Sequence, residues 1–208
     1  MKLEYIEEFD SPFASSCFQA MKSIQSKLER MKNDDGQIDE VNYVMSLAGY
    51  IGEEIESNDF LLGGELRKQI TTSNKELHEL MLRLKREYKS DILSNTTVKP
   101  DYVIHYSVKR DELSNDTQKL VIEAKTTNKL TQDNFSWDLY KLMAYVSELS
   151  FQTAVFLILN TSKNTIEKLL NKYKEQNLPV ISIPKGSLLF FIQDSINSDP
   201  KPYILNCL

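Results

Sequence analysis

Histidine and cysteine are scarce in this chain. His78 and His105 are the only histidines, and Cys17 and Cys207 the only cysteines. Two cysteines so far apart, without metal-ligand spacing, argue against a disulfide framework or a thiolate zinc site and for a reducing compartment. Two histidines likewise make a histidine-based zinc site a poor expectation. No run of about 18 apolar residues exists, so no membrane-spanning helix is expected. The stretch Met1-Lys2-Leu3-Glu4-Tyr5 carries acid where a secretory signal needs an apolar core, and a cytoplasmic location follows as the expectation. A surplus of positive charge is missing as well. With 25 Lys and Arg against 30 Asp and Glu, the formal net charge of −5 gives no global attraction to nucleic acid. Contact with phosphates then needs local basic surface. Internal repeats, low-complexity tracts and dividing linkers are also lacking.

What remains is ordinary globular material. A length of 208 residues, with 41% hydrophobic and 26% charged, suits one domain over 1–208 with a buried core and a helical elaboration. From Asp10 to about Lys32 the pattern is helical. Asp10 or Ser11 can cap, Pro12 fits the first turn, and Phe13, Cys17, Met21, Ile24 and Leu28 recur at three or four. Asn33-Asp34-Asp35-Gly36 breaks it. A second helix is expected from about Asp39 to Ser57, with Val41, Val44, Leu47, Ala48, Ile51 and Ile55 in one arc. Glu54 lies at the edge of that arc, whereas Glu53 and Glu56 point farther towards solvent. A third helix opens at Ser73 or Asn74, where Ser73 and Glu76 have capping-box spacing, and Lys85, Arg86 and Lys89 crowd its last turns.

The central stretch runs from Lys99 to Lys125. Tyr102-Val103-Ile104 follows Lys99-Pro100-Asp101, and Leu120-Val121-Ile122-Glu123-Ala124-Lys125 returns after a polar segment. Both apolar runs are rich in β-branched residues and bounded by turn formers, so each is expected to be a strand. Side chains alternate across a strand, which puts Glu123 and Lys125 on one face and Ala124 on the other. Asp101 can then lie beside Glu123, offering two carboxylates to a hard cation with one ammonium nearby. Magnesium favours such oxygen ligands and keeps several waters of its own. A lysine beside it can position or deprotonate an attacking water, or steady charge growing on a phosphate.

Helix and strand alternate over the rest. Thr131–Leu149 has a helical pattern that includes Asp138, Lys141 and Tyr145, the last two four apart and adjacent on the helix surface. Thr153–Leu159 is short and nearly all apolar, as a strand buried on both faces should be. Thr161 or Ser162 caps a helix to about Gln176, and Pro179–Ile183 and Leu188–Ile192 are expected strands. The order predicts an α/β fold, a mixed sheet flanked by helices.

Pro100, Asp101, Glu123 and Lys125, with Ala124 in the variable position, resemble the motif of the PD-(D/E)xK nuclease superfamily. The resemblance implies a restriction-endonuclease-like fold with an N-terminal helical part over about 10–90 and a catalytic core over about 39–193. It implies a metal-dependent nuclease using Mg2+, with Mn2+ as substitute, in a prokaryotic or phage restriction, defence or DNA-processing role. Asp101, Glu123 and the Ala124 carbonyl would hold the metal, and Lys125 would orient the water. Many members carry a further metal-binding glutamate on a preceding helix, and Gly52-Glu53-Glu54 looks like that element, with Glu54 favoured. RecB-like and CRISPR-adaptation members carry Gln-x-x-x-Tyr near the phosphates. Lys141-Leu142-Met143-Ala144-Tyr145 is similar, with lysine in place of glutamine, so Lys141 and Tyr145 are implied substrate contacts. DNA stands ahead of RNA as the nucleic acid, with a homodimer or a partner protein as a source of specificity and no membrane. The alternatives are an RNA endonuclease of the same fold and a catalytically silent member that binds nucleic acid or a partner.

Overall fold

The computed structural model describes residues 1–54, 61–63, 68–69, 97–106 and 112–206, and side chains within 1–53, 99–106 and 112–206. The elements begin with β1 (Lys2–Tyr5), α1 (Pro12–Ile24) and a 3-10 turn over Gln25–Met31. There follow α2 (Glu40–Glu54), β2 (Leu61–Gly63), β3 (Lys68–Gln69) and β4 (Thr97–Val98). The remainder is β5 (Tyr102–His105), β6 (Gln118–Lys125), α3 (Gln132–Leu149), β7 (Thr153–Leu159), α4 (Lys163–Glu175), β8 (Leu188–Gln193) and β9 (Lys201–Asn206).

Seven strands form one mixed sheet in the order β1-β9-β8-β7-β6-β5-β2. β5 and β6 are antiparallel, while β6, β7 and β8 run parallel through the crossover helices α3 and α4. A parallel neighbour requires such a crossover, whereas antiparallel neighbours need only a loop. β3 and β4 pair separately.

Helices lie on both faces of this sheet, each over its own apolar layer. Phe135, Leu139, Met143, Ile166 and Leu170 from α3 and α4 pack with Val103, Val121, Phe156 and Phe190. Cys17, Met21, Ile24, Leu47 and Ile51 from α1 and α2 pack with Ile104, Ile122, Ala124, Val155 and Leu157 on the reverse. Successive strand residues thus enter opposite layers, which is why all seven residues of β7 are buried. Among the described residues no helix is long and apolar enough to cross a membrane.

Caps set the helix starts. Ser11, Thr131 and Ser162 each accept the amide of the residue three further on, and Pro12 stands at the first helical position of α1. The helix expected to reach Lys32 ends sooner, because its last turns tighten into the 3-10 segment. The expected strand at Pro179–Ile183 is absent. Pro179 and Pro184 bound it, neither has an amide hydrogen to donate, and Val180 stands 46% exposed and joins no ladder among the described residues. Five strands were not foreseen: the short β2, β3 and β4, and β1 and β9, which pair with each other at the edge beyond β8. The helix expected from Ser73 or Asn74 lies outside the described residues.

Candidate active site

The antiparallel register of β5 and β6 brings the motif together. Tyr102 faces Ile122, so Asp101 falls opposite Glu123 at the next step, and the Asp101 amide donates to the Ile122 carbonyl over 3.1 Å. The Ala124 amide donates to Asp101 Oδ2 at 2.7 Å, which ties that carboxylate to the strand end. Ala124 itself enters the layer beneath α1 and α2. Glu123 and Lys125 consequently emerge on the α3 side, and α3 completes the cluster.

Asp138, Lys141 and Tyr145 are spaced three and four apart, so they share one helix face. Lys141 Nζ lies 2.7 Å from Glu123 Oε2 and 2.8 Å from Asp138 Oδ1. Tyr145 donates its hydroxyl to Glu123 Oε1 at 3.3 Å. Lys125 Nζ lies 3.5 Å from Asp138 Oδ2 and 3.2 Å from Glu40 Oε1 on the first turn of α2. Acid and base therefore alternate in the chain Glu40, Lys125, Asp138, Lys141, Glu123, with Asp101 alongside. Counted formally, four carboxylates face two ammonium groups, with burial raising the pKa of Glu40, Asp101 and Glu123 against that surplus.

Burial dominates the electrostatics. Glu123 is 1% exposed, and loss of water pushes its carboxyl well above the usual range, opposed by Lys141 and reinforced by Asp101. Asp101 is raised by the same loss of water, with Lys125, Lys141 and the Ala124 amide pulling the other way. At Asp138 burial also disfavours the charge, yet Lys125 and Lys141 outweigh it and hold the carboxyl below its usual range. Both lysines are raised. Burial weakens each ammonium, but Asp138 with Glu40 for Lys125, and Asp138 with Glu123 for Lys141, outweigh that effect. Each lysine is therefore a persistent cation at neutral pH.

Neighbouring loops fix the rim at the carboxyl ends of β6 and β7. Thr126 donates its hydroxyl to the Ile38 carbonyl at 2.8 Å, which brings the start of α2, and so Glu40, against the site. Asn160 sits at φ 58°, a left-handed conformation that asparagine tolerates, and its side-chain Nδ2 donates to the Thr126 carbonyl at 3.0 Å. Thr161 donates to the Thr127 carbonyl at 3.1 Å. A separate cavity of about 200 Å3 lies at the opposite ends of β7 and β8, among Phe9, Ser11, Thr153 and Ser187, and shares no residue with the cluster.

The expected residues Asp101, Glu123, Ala124, Lys125, Lys141 and Tyr145 are thus neighbours. Lys141 differs from expectation in one respect. It is 7% exposed and held by two carboxylates, rather than open to solvent as a phosphate contact. Glu54 is the last residue of α2, but its side chain lies outside the described residues. Asp138 and Glu40 joined the cluster unannounced. The sequence signal for Asp138 was an acid on the buried face of α3, three residues before Lys141; for Glu40 there was none beyond an acid in a first helical turn.

Magnesium asks for one or two carboxylates and brings its own waters. Asp101 and Glu123 meet that demand, and only one oxygen of Asp101 takes the Ala124 amide. Both Glu123 oxygens are engaged, by Lys141 and Tyr145, and no group of three acids, imidazoles or thiols converges as a ready cation cage among the described residues. The donor set fits a divalent cation once Lys141 yields Glu123. Comparison with protein families, curated proteins and solved structures finds no match for this chain.

Proposed function

We propose that this chain is a metal-dependent phosphodiesterase of restriction-endonuclease-like fold that cleaves nucleic acid, DNA before RNA, in the cytoplasm. One observation carries the reading: Asp101 and Glu123 stand side by side at the ends of two antiparallel strands, with Lys125 on the Glu123 face. Asp101 and Glu123 would hold Mg2+ or Mn2+, with the Ala124 carbonyl and Glu54 as proposed helpers. The cation would supply Lewis-acid stabilisation of the phosphate and a more acidic bound water. Lys125 is the most exposed cation of the cluster, with 18% of its side chain accessible. Its raised pKa makes it a hydrogen-bond donor rather than a base, suited to orienting the attacking water and to steadying charge on the phosphate oxygens. Lys141 and Tyr145 hold Glu123 in place from behind, and contact with a neighbouring phosphate would require Lys141 to leave that carboxylate.

A second reading is a catalytically silent member that binds nucleic acid or a partner. The engagement of both Glu123 oxygens by protein donors favours it. Incubation with linear, circular and single-stranded DNA and with RNA, with and without Mn2+, separates the two. Metal-dependent cleavage that disappears in Asp101→Asn and Glu123→Gln supports the enzyme. Binding without cleavage under every metal condition would leave the silent reading standing.

A further inference from the structure

Asp138 has no role in the two-carboxylate scheme, yet both lysines converge on it. One oxygen lies 2.8 Å from Lys141 and the other 3.5 Å from Lys125, and its side chain is 6% exposed. Lys141 accordingly has two acceptors at nearly equal distance, Asp138 and, at 2.7 Å, Glu123. Glu123 is also the carboxylate a divalent cation needs. Lys141 occupies Oε2, so a cation that takes that oxygen meets a like charge at close range and requires the ammonium to retreat. An ammonium this deeply buried cannot be left without a partner. Lys125 has its own alternative in Glu40 at 3.2 Å, which lets Asp138 give more of itself to Lys141.

We propose that Asp138 is a positioning residue that takes over Lys141 when a divalent cation occupies Asp101 and Glu123. Lys141 is then a built-in competitor for the cation site, and Asp138 is the acceptor that releases it. This rests on the metal-dependent reading above. Lys141 also keeps Glu123 compensated while no cation is bound, so the cluster exchanges one positive charge for another rather than exposing a bare acid. Asp138 acts through Lys141 and touches neither substrate nor metal.

The test is Mn2+ binding to the full chain by calorimetry, with nucleic acid absent, across a double-mutant cycle. Asp138→Asn removes the second anion and leaves Glu123 as the stronger acceptor for Lys141, so the Mn2+ affinity should fall by about tenfold. In the Lys141→Met background no ammonium competes, so adding Asp138→Asn should change affinity by no more than about twofold. An equal loss in both backgrounds would mean that Asp138 acts by its own field, and would overturn the proposal. If Lys141→Met does not fold, Asp138→Glu decides. It retains the acceptor and should stay within about threefold of the parent, whereas a loss equal to that of Asp138→Asn overturns the proposal. A parent protein with no saturable Mn2+ binding defeats the metal-dependent reading and this inference together. Normal binding in the parent and in Asp138→Asn alike defeats the inference alone.

Discussion

The ammonium of Lys141 lies 2.7 Å from a Glu123 carboxylate that is almost fully sealed from water. Glu123 is therefore a structural partner as well as a proposed ligand. Glu123→Ala should cost about 2–3 kcal/mol, below the ~3–5 kcal/mol typical of orphaning a buried charge, because Asp138 still holds Lys141. Glu123→Gln keeps the shape and one acceptor, and should cost about 1 kcal/mol. Urea unfolding of both variants checks the order, and equal stabilities would show that the pair contributes little. The glutamine variant is the sounder one for activity assays.

Tyr145 tests the other Glu123 oxygen. Its hydroxyl donates over 3.3 Å, a long contact, so Tyr145→Phe should lower stability by about 1 kcal/mol while the Lys141 pair persists. The free Oε1 then becomes available to a cation, and Mn2+ affinity should hold or rise in calorimetry. A fall in affinity would mean that the hydroxyl orients the carboxylate for the metal.

Lys125 should separate chemistry from binding. Lys125→Met removes a donor but no proposed ligand, so Mn2+ binding should survive while single-turnover cleavage falls by about 100-fold or more. It also removes one of the two cations at Asp138 and Glu40, so a folded far-ultraviolet spectrum must accompany the assay. Undiminished cleavage would take Lys125 out of the reaction.

The lysines predict a response to alkali. Both have pKa values raised above the ordinary 10.5, since the carboxylates around them outweigh the effect of burial. Stability from a raised basic group is complete below its unfolded pKa and is lost as pH climbs through the folded one. The unfolding free energy should therefore fall above about pH 10.5, by about 1.4 kcal/mol per pH unit for each lysine. Lys141→Met should be less stable at neutral pH but lose about one such increment less on the alkaline side. Raised tyrosines act in the same direction in both proteins and largely cancel from the difference. Urea midpoints between pH 10 and 12 give the comparison, and identical slopes would contradict it.

Thr126 governs the approach of α2. Thr126→Val deletes the buried bond to the Ile38 carbonyl and leaves that acceptor unsatisfied, at a cost of about 1–2 kcal/mol. Glu40 should then bind Lys125 less firmly, and protection of the α2 amides against hydrogen exchange should fall first near Glu40. Unchanged exchange there would show that other contacts hold the helix.

The strands that carry the motif were legible because their signals are local. Tyr102–Ile104 and Leu120–Lys125 are β-branched runs, Thr153–Leu159 matches β7 residue for residue, and Thr131 and Ser162 announce the helices they cap. Alternation along β6 was enough to put Glu123 and Lys125 together. Partnership between elements was harder to read. A helical pattern marks Asp138 as an inward acid but does not say that two lysines await it, and Glu40 reaches Lys125 only through the fold of the loop before α2. Burial of Lys141 follows from the same meeting of α3 with β6, whereas taken alone it resembles any lysine on an amphipathic helix. Proline bears on both the strand that failed to form and one that was missed. Pro179 and Pro184 frame β-branched residues that find no partner strand among the described residues, while Pro202 stands inside β9, where a ladder is formed despite it.

The pairing of Lys2 with Asn206 has a temporal side. Strand β1 emerges early from a ribosome, with Leu3 ready to be buried, but its partner β9 is made only after every other described strand. At roughly 5–20 residues per second, that interval is on the order of ten to forty seconds. Through that time the β6, β7 and β8 core can assemble from nearer contacts, while β1 waits unpaired with Leu3 uncovered. Closing so long a loop carries only a slowly growing entropic cost, so the delay comes from synthesis rather than from thermodynamics. The β1–β9 edge is thus the last of the described strand pairings that synthesis allows to form.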